Sequence, residues 1–152
     1  MQDSKSAPTM SKREFLTLVG AAAAVSMTPS LMASSEHGHH LHTYPKDLVS
    51  TAAECISTGQ ACKMHIYQLI KSKDYTLSNC LIVVRDAITA CETLVELITN
   101  ESPHARAMAK VCMDICKDCA EECNKHASKH KICKEMAESC DATIKACEKY
   151  IG

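Results

Sequence analysis

The residues with the clearest chemical capacity in this 152-residue chain are eleven cysteines: Cys55, Cys62, Cys80, Cys91, Cys112, Cys116, Cys119, Cys123, Cys133, Cys140 and Cys147. Within the stretches that otherwise read as helix, successive cysteines are separated by seven, eleven, four, three, four, seven and seven residues. Such intervals return side chains to one face of an α-helix. The thiols therefore take the stripe that leucine would fill in an ordinary helix bundle.

Three chemistries compete for them. A disulfide framework suits a cysteine-rich exported chain, but the count is odd and the spacing helical. Thiols three or four apart on a helix have Cβ atoms ~5–6 Å apart, whereas a disulfide wants ~3.8 Å; bridges between helices stay open. Zinc or an iron–sulfur cluster would normally use spaced pairs of Cys-x-x-Cys knuckles. Here Cys116 to Cys119 is the single Cys-x-x-Cys, inside one helix. Four thiolates on one Zn²⁺ also leave a net −2 charge that a dry core tolerates badly.

The third chemistry is Cu(I), which thiolates select among biological metals. Pairs four apart, such as Cys112 with Cys116 and Cys119 with Cys123, can pinch one ion between them. Shared thiolates bring the ratio near one cation per thiolate, so the filled column stays almost neutral. Unloaded thiols are neutral small hydrophobes. Charge balance therefore predicts multiple Cu(I) ions, roughly eleven per chain.

Other metal-capable side chains lie close by. His65 follows Cys62 by three, His126 follows Cys123 by three, and His130 precedes Cys133 by three. With Met64, they mark one bundle end as a mouth for copper, because imidazole and thioether ligands exchange more readily than thiolate. The alternative is that these histidines are solvated or cap carbonyls at helix ends. Met108, four before Cys112, is a further candidate ligand, while Met113 and Met136 read as filler. The tract His37-Gly-His-His-Leu-His42 could hold Cu²⁺ or Zn²⁺ loosely, or be incidental.

Four elements must position these groups, and the expected fold class is all-α. Helices are expected from Pro45 to about Lys71, Thr76 to Thr99, Pro103 to about His126, and beyond Ser128 to near Tyr150. Asp74, Ser102 and Ser128 are the candidate caps, with Pro103 at a first helical position. Short connections force an antiparallel up-down-up-down four-helix bundle with a cysteine-lined core. Measured from the junction of the second and third helices, Cys55, Cys91, Cys112 and Cys140 fall roughly 12–15 Å up. Cys62, Cys119 and Cys133 fall roughly 24–25 Å up, with Cys80 and Cys123 just above. Cys116 comes between the levels and Cys147 near the lower end. The second helix carries two apolar rows: Cys80, Val84, Ala87, Cys91, Leu94, Ile98, and Leu81, Ile88, Val95. The second row suits either another subunit or flanking helices.

Residues 1–33 read as an export signal, with Ser11-Lys12-Arg13-Glu14-Phe15-Leu16 ahead of a short apolar run to Val25. The block resembles the twin-arginine motif, with Lys12 where the first arginine normally stands; the Sec route is the alternative. The run is too short to span a bilayer, which takes ~20 apolar residues. Export to the periplasm is the expected destination, residues 34–44 form a His-rich connecting segment, and 45–152 the bundle. From Ser34 onward 14 basic face 16 acidic residues, which excludes the basic face of a nucleic-acid binder. No paired-carboxylate or nucleophile–base arrangement stands out, so the chain reads as a binding protein and not an enzyme.

The run Cys112-Met-Asp-Ile-Cys116-Lys-Asp-Cys119-Ala-Glu-Glu-Cys123, with heptad-spaced cysteines on the other helices, resembles the bacterial copper storage proteins. The resemblance covers about Pro45 to Tyr150, and the leader is similar to the exported branch. It implies a cysteine-lined four-helix bundle that stores many Cu(I) ions and associates into homo-oligomers, tetramers in that family. A copper chaperone or detoxifying buffer remains a rival purpose for the same site. A disulfide-stapled structural or partner-binding bundle is the rival of a different class.

Overall fold

The computed structural model describes residues 45–152; the expected export signal and the His-rich segment lie outside them. The described chain forms α1 (Lys46–Lys71), α2 (Ser78–Thr99), α3 (Ala105–Asn124) and α4 (Lys131–Ile151). Contacts run between α1 and α2, α2 and α3, α3 and α4, and α4 and α1, closing a four-cornered bundle. Consecutive helices are joined by short turns and run antiparallel, as such connections require. No described helix is long and apolar enough to cross a membrane.

Each helix turns one stripe inward. On α1 this is Leu48, Ala52, Cys55, Gly59, Cys62 and Ile66; on α3 it is Ala105, Ala109, Cys112, Cys116, Cys119 and Cys123. The expected inner stripe of α2, from Cys80 to Ile98, is buried throughout. Its second row is used inside the chain: Ile88 is buried, and Leu81 and Val95 pack half-buried on the same core. Gly59 makes this possible, since a Cβ there would meet Ile88 Cγ1 at 2.7 Å. The missing side chain lets α1 and α2 approach closely.

α1 and the end of α2 lie where the sequence expectation puts them, while α2, α3 and α4 start about two residues later than expected, for local reasons. Asp74 Oδ1 accepts bonds from the Thr76 N–H at 2.9 Å and the Thr76 hydroxyl at 2.7 Å, so it caps a turn before α2. Ser102 likewise accepts the His104 N–H at 3.2 Å, holding Pro103 in that turn and delaying α3 to Ala105. Ser128 caps nothing: successive turns continue past Asn124, and His130, in extended conformation, is the residue before α4.

α1 and α2 both end in a left-handed residue, Lys73 (φ 64°) and Glu101 (φ 52°). Asp74 N–H reaches the Leu69 carbonyl and Lys73 N–H the Ile70 carbonyl, both at 2.9 Å. Ser102 and Glu101 repeat the pattern onto Leu97 and Ile98. These paired bonds satisfy the last carbonyls of each helix and reverse the chain sharply.

Candidate metal centre

All eleven cysteines are free thiols and all are buried. They meet across helices: Cys80 Sγ lies 3.2 Å from Cys123 Sγ, Cys91 3.7 Å from Cys112, and Cys55 3.9 Å from Cys140. Two groups of three thiols, Cys55 with Cys91 and Cys116, and Cys62 with Cys80 and Cys133, have sulfurs within 4.8 Å of one another. Metal–sulfur bonds of ~2.3 Å span sulfurs up to ~4.6 Å apart, so each trio is on the scale of a shared ion.

Further thiol–thiol interactions join the groups into one network. Cys147 interacts with Cys112, and Cys112 with Cys91 and Cys116. Cys116 reaches Cys55 and Cys140, and Cys140 reaches Cys119. Cys119 meets Cys123, which meets Cys62 and Cys80; Cys133 closes on the same two. The series is unbroken from Cys147 at one end of the bundle to Cys133 at the other.

This connectivity corrects the expected levels. Cys116 belongs with Cys55 and Cys91 instead of between levels, and Cys119 joins Cys140 of the lower level to Cys123 of the upper. The expected heights are backbone heights, but helical side chains lean toward their own N-terminus. On antiparallel neighbours that lean is opposite, so α3 thiols drop while those of α2 and α4 rise to meet them.

Thiols in such a series divide into donors and acceptors. Cys55 is lowered from the ordinary thiol range chiefly by bonds from Cys116, Cys140 and Cys91. Cys116 is lowered chiefly by Cys112, and Cys119 chiefly by Cys123. Other thiols move the opposite way: Cys91 and Cys147 are raised chiefly by bonding to Cys112, Cys123 by Cys119 and Cys140 by Cys116, with burial adding to each. At Cys133 a bond with Cys62 pulls down, but Cys80 and burial prevail and push it up to about 12.

At the α1/α4 end, His65 Nε2 and His130 Nδ1 are 3.0 Å apart, with their rings edge to face. Burial first, then the neighbouring imidazoles of His65 and His126, lowers His130 and favours its neutral, metal-binding form. His126 itself sits 3.5 Å from Glu122. The other candidates are less well placed. Met64 is 55% exposed. Met108 is half-buried and lines a shallow outer groove with Asp86, Thr89, Thr93 and Ile115, while Ala109 takes the inward position.

One residue of the column escapes the cysteine pattern. Thr143, fully buried, occupies the α4 stripe between Cys140 and Cys147 and interacts with the Cys55 thiol. Its hydroxyl donates to the Ser139 carbonyl at 3.0 Å. Its place three after Cys140 and four before Cys147 is the signal in the sequence that could have found it.

Comparison with known proteins follows the same direction. A family model described as copper storage protein matches residues 39–152. None of the curated proteins matches the sequence. The apo form of copper storage protein 3 from Bacillus subtilis has a similar fold, with a TM-score of 0.63 at 23% identity, covering 72% of this chain and 100% of that one. With the family model spanning the whole described bundle, the chain belongs to the copper storage protein family.

Proposed function

We propose that this protein stores copper as Cu(I), roughly one ion per cysteine, on the thiolates of its column. The observation that carries this reading is the unbroken series of eleven buried thiols along the bundle. A single zinc site needs four ligands and leaves the remainder without a role; near-neutral copper–thiolate filling employs all of them. A count of reactive thiols tests it. Protein purified without reductant and stripped of copper is expected to show all eleven, and copper-filled protein almost none. A majority of unreactive thiols in the stripped protein would instead support the stapled bundle.

Copper passes through the end that holds His65, His126 and His130, where exchangeable imidazoles lie three residues along the chain from Cys62, Cys123 and Cys133. Replacing all three by alanine is expected to slow copper removal by a chelator, and an unchanged rate contradicts this mouth. Export through the N-terminal leader and assembly into a homo-oligomer complete the proposal. Exposed Ile82 on α2 and Val111 on α3 supply apolar area for such an assembly. Cell fractionation and light scattering test the two: residence in the cytoplasm contradicts export, and a monomer contradicts assembly.

A further inference from the structure

Among the described thiol pairs within 4 Å of each other across helices, Cys80 and Cys123 are the closest, at 3.2 Å against 3.7 Å for Cys91 with Cys112 and 3.9 Å for Cys55 with Cys140. They lie on different helices, free of the spacing that prevents bridges between thiols three or four apart on one helix. A disulfide sulfur separation of ~2.05 Å requires them to close by about 1.2 Å. Both interact with Cys62, and Cys80 also with Cys133. Those two are a helical turn, ~5 Å, from His65 and His130.

The imidazole pair has a geometry of its own. Two nitrogen ligands on one ion, with bonds of ~2.0 Å and an angle of ~90–100°, stand about 3 Å apart. His65 Nε2 and His130 Nδ1 are hydrogen-bonded at 3.0 Å, the separation such a pair of ligands needs once the shared proton has moved to the outer nitrogen of its ring. Adjacent nitrogens at right angles are what tetragonal Cu(II) prefers, whereas the thiols behind them prefer Cu(I).

We propose that this end of the bundle captures Cu(II) and reduces it, with Cys80 and Cys123 as the electron donors. Two S–H bonds break and one S–S bond forms, releasing two protons and two electrons. The electrons reduce two Cu(II) ions to Cu(I), which pass to the remaining thiols. The reaction is stoichiometric: one disulfide per pair of ions. It rests on the storage reading, because the product must have thiolates to go to.

The test uses the full apo chain under anaerobic conditions with aqueous Cu(II) salt. The Cu(II) paramagnetic signal is expected to vanish for two equivalents. Once the copper is removed by a chelator, the thiol count should have fallen by two, and peptide mapping should find Cys80 joined to Cys123. Cys80→Ser and Cys123→Ser are each expected to slow the reduction by about tenfold or more. Cys147→Ser, which also removes one thiol but at the far end, should slow it far less. His65→Ala with His130→Ala should also slow it. Persistence of the Cu(II) signal, a disulfide spread over other pairs, or equal slowing by Cys147→Ser and Cys80→Ser overturns the proposal. Direct addition of Cu(I) to the same preparation separates the two readings: uptake of Cu(I) without reduction of Cu(II) overturns this inference alone, and failure to take up Cu(I) overturns storage.

Discussion

A cysteine side chain has two identities, and the proposed storage uses both. Protonated, it is a small hydrophobe that fills a core; ionised, it is a soft ligand. Cys55, Cys116 and Cys119 are each drawn below the ordinary thiol range by neighbouring thiols. Thr143 is the position where the stripe departs from thiol chemistry without leaving the column. Thr143→Cys nearly conserves volume and adds a thiol beside Cys55, so it is expected to raise copper capacity by about one ion. Equilibrium titration beside the parent protein measures this, and an unchanged capacity would show that Thr143 lies outside the ligand path.

At the scale of the helix, the stripe works only because α1 and α2 come close at Gly59. Gly59→Ala gains up to ~1 kcal/mol in helix propensity. Against this, the new Cβ collides with Ile88 Cγ1 at 2.7 Å, on a stiff β-branched side chain. Overpacking of this kind costs about 1–3 kcal/mol, so the expected net effect on the apo protein is a loss centred on ~1 kcal/mol. Denaturant unfolding checks the loss, and relief by Ile88→Ala in the same chain identifies the collision as its cause. Equal or greater stability of Gly59→Ala would place the close approach elsewhere.

Periodicity alone makes the inward stripes legible in the sequence, down to six of the eight buried positions of α2. Helix starts are less legible, because Asp74 and Ser102 cap turns with the same side-chain bonds that cap helices. The thiol partners of Cys116 and Cys119 are hidden for a different reason. Spacing along a chain gives backbone height, while contact depends on the opposite lean of side chains on antiparallel neighbours. Met108 shows the remaining limit: four residues before Cys112 puts it near the right face, but Ala109 holds the inward place and Met108 the groove beside it.

For the whole molecule, the governing constraint is charge in a closed apolar space. A core holding many thiols stays stable unloaded because neutral thiols cost little to bury, and stays stable loaded only if each cation meets about one thiolate. That condition favours a monovalent soft ion over zinc and ties capacity to the number of cysteines. Anaerobic titration of the apo protein with Cu(I), against a competing chelator, tests this most directly. The account predicts tight uptake of about ten or more ions per chain, near the count of thiols. Saturation after one or two ions would contradict it.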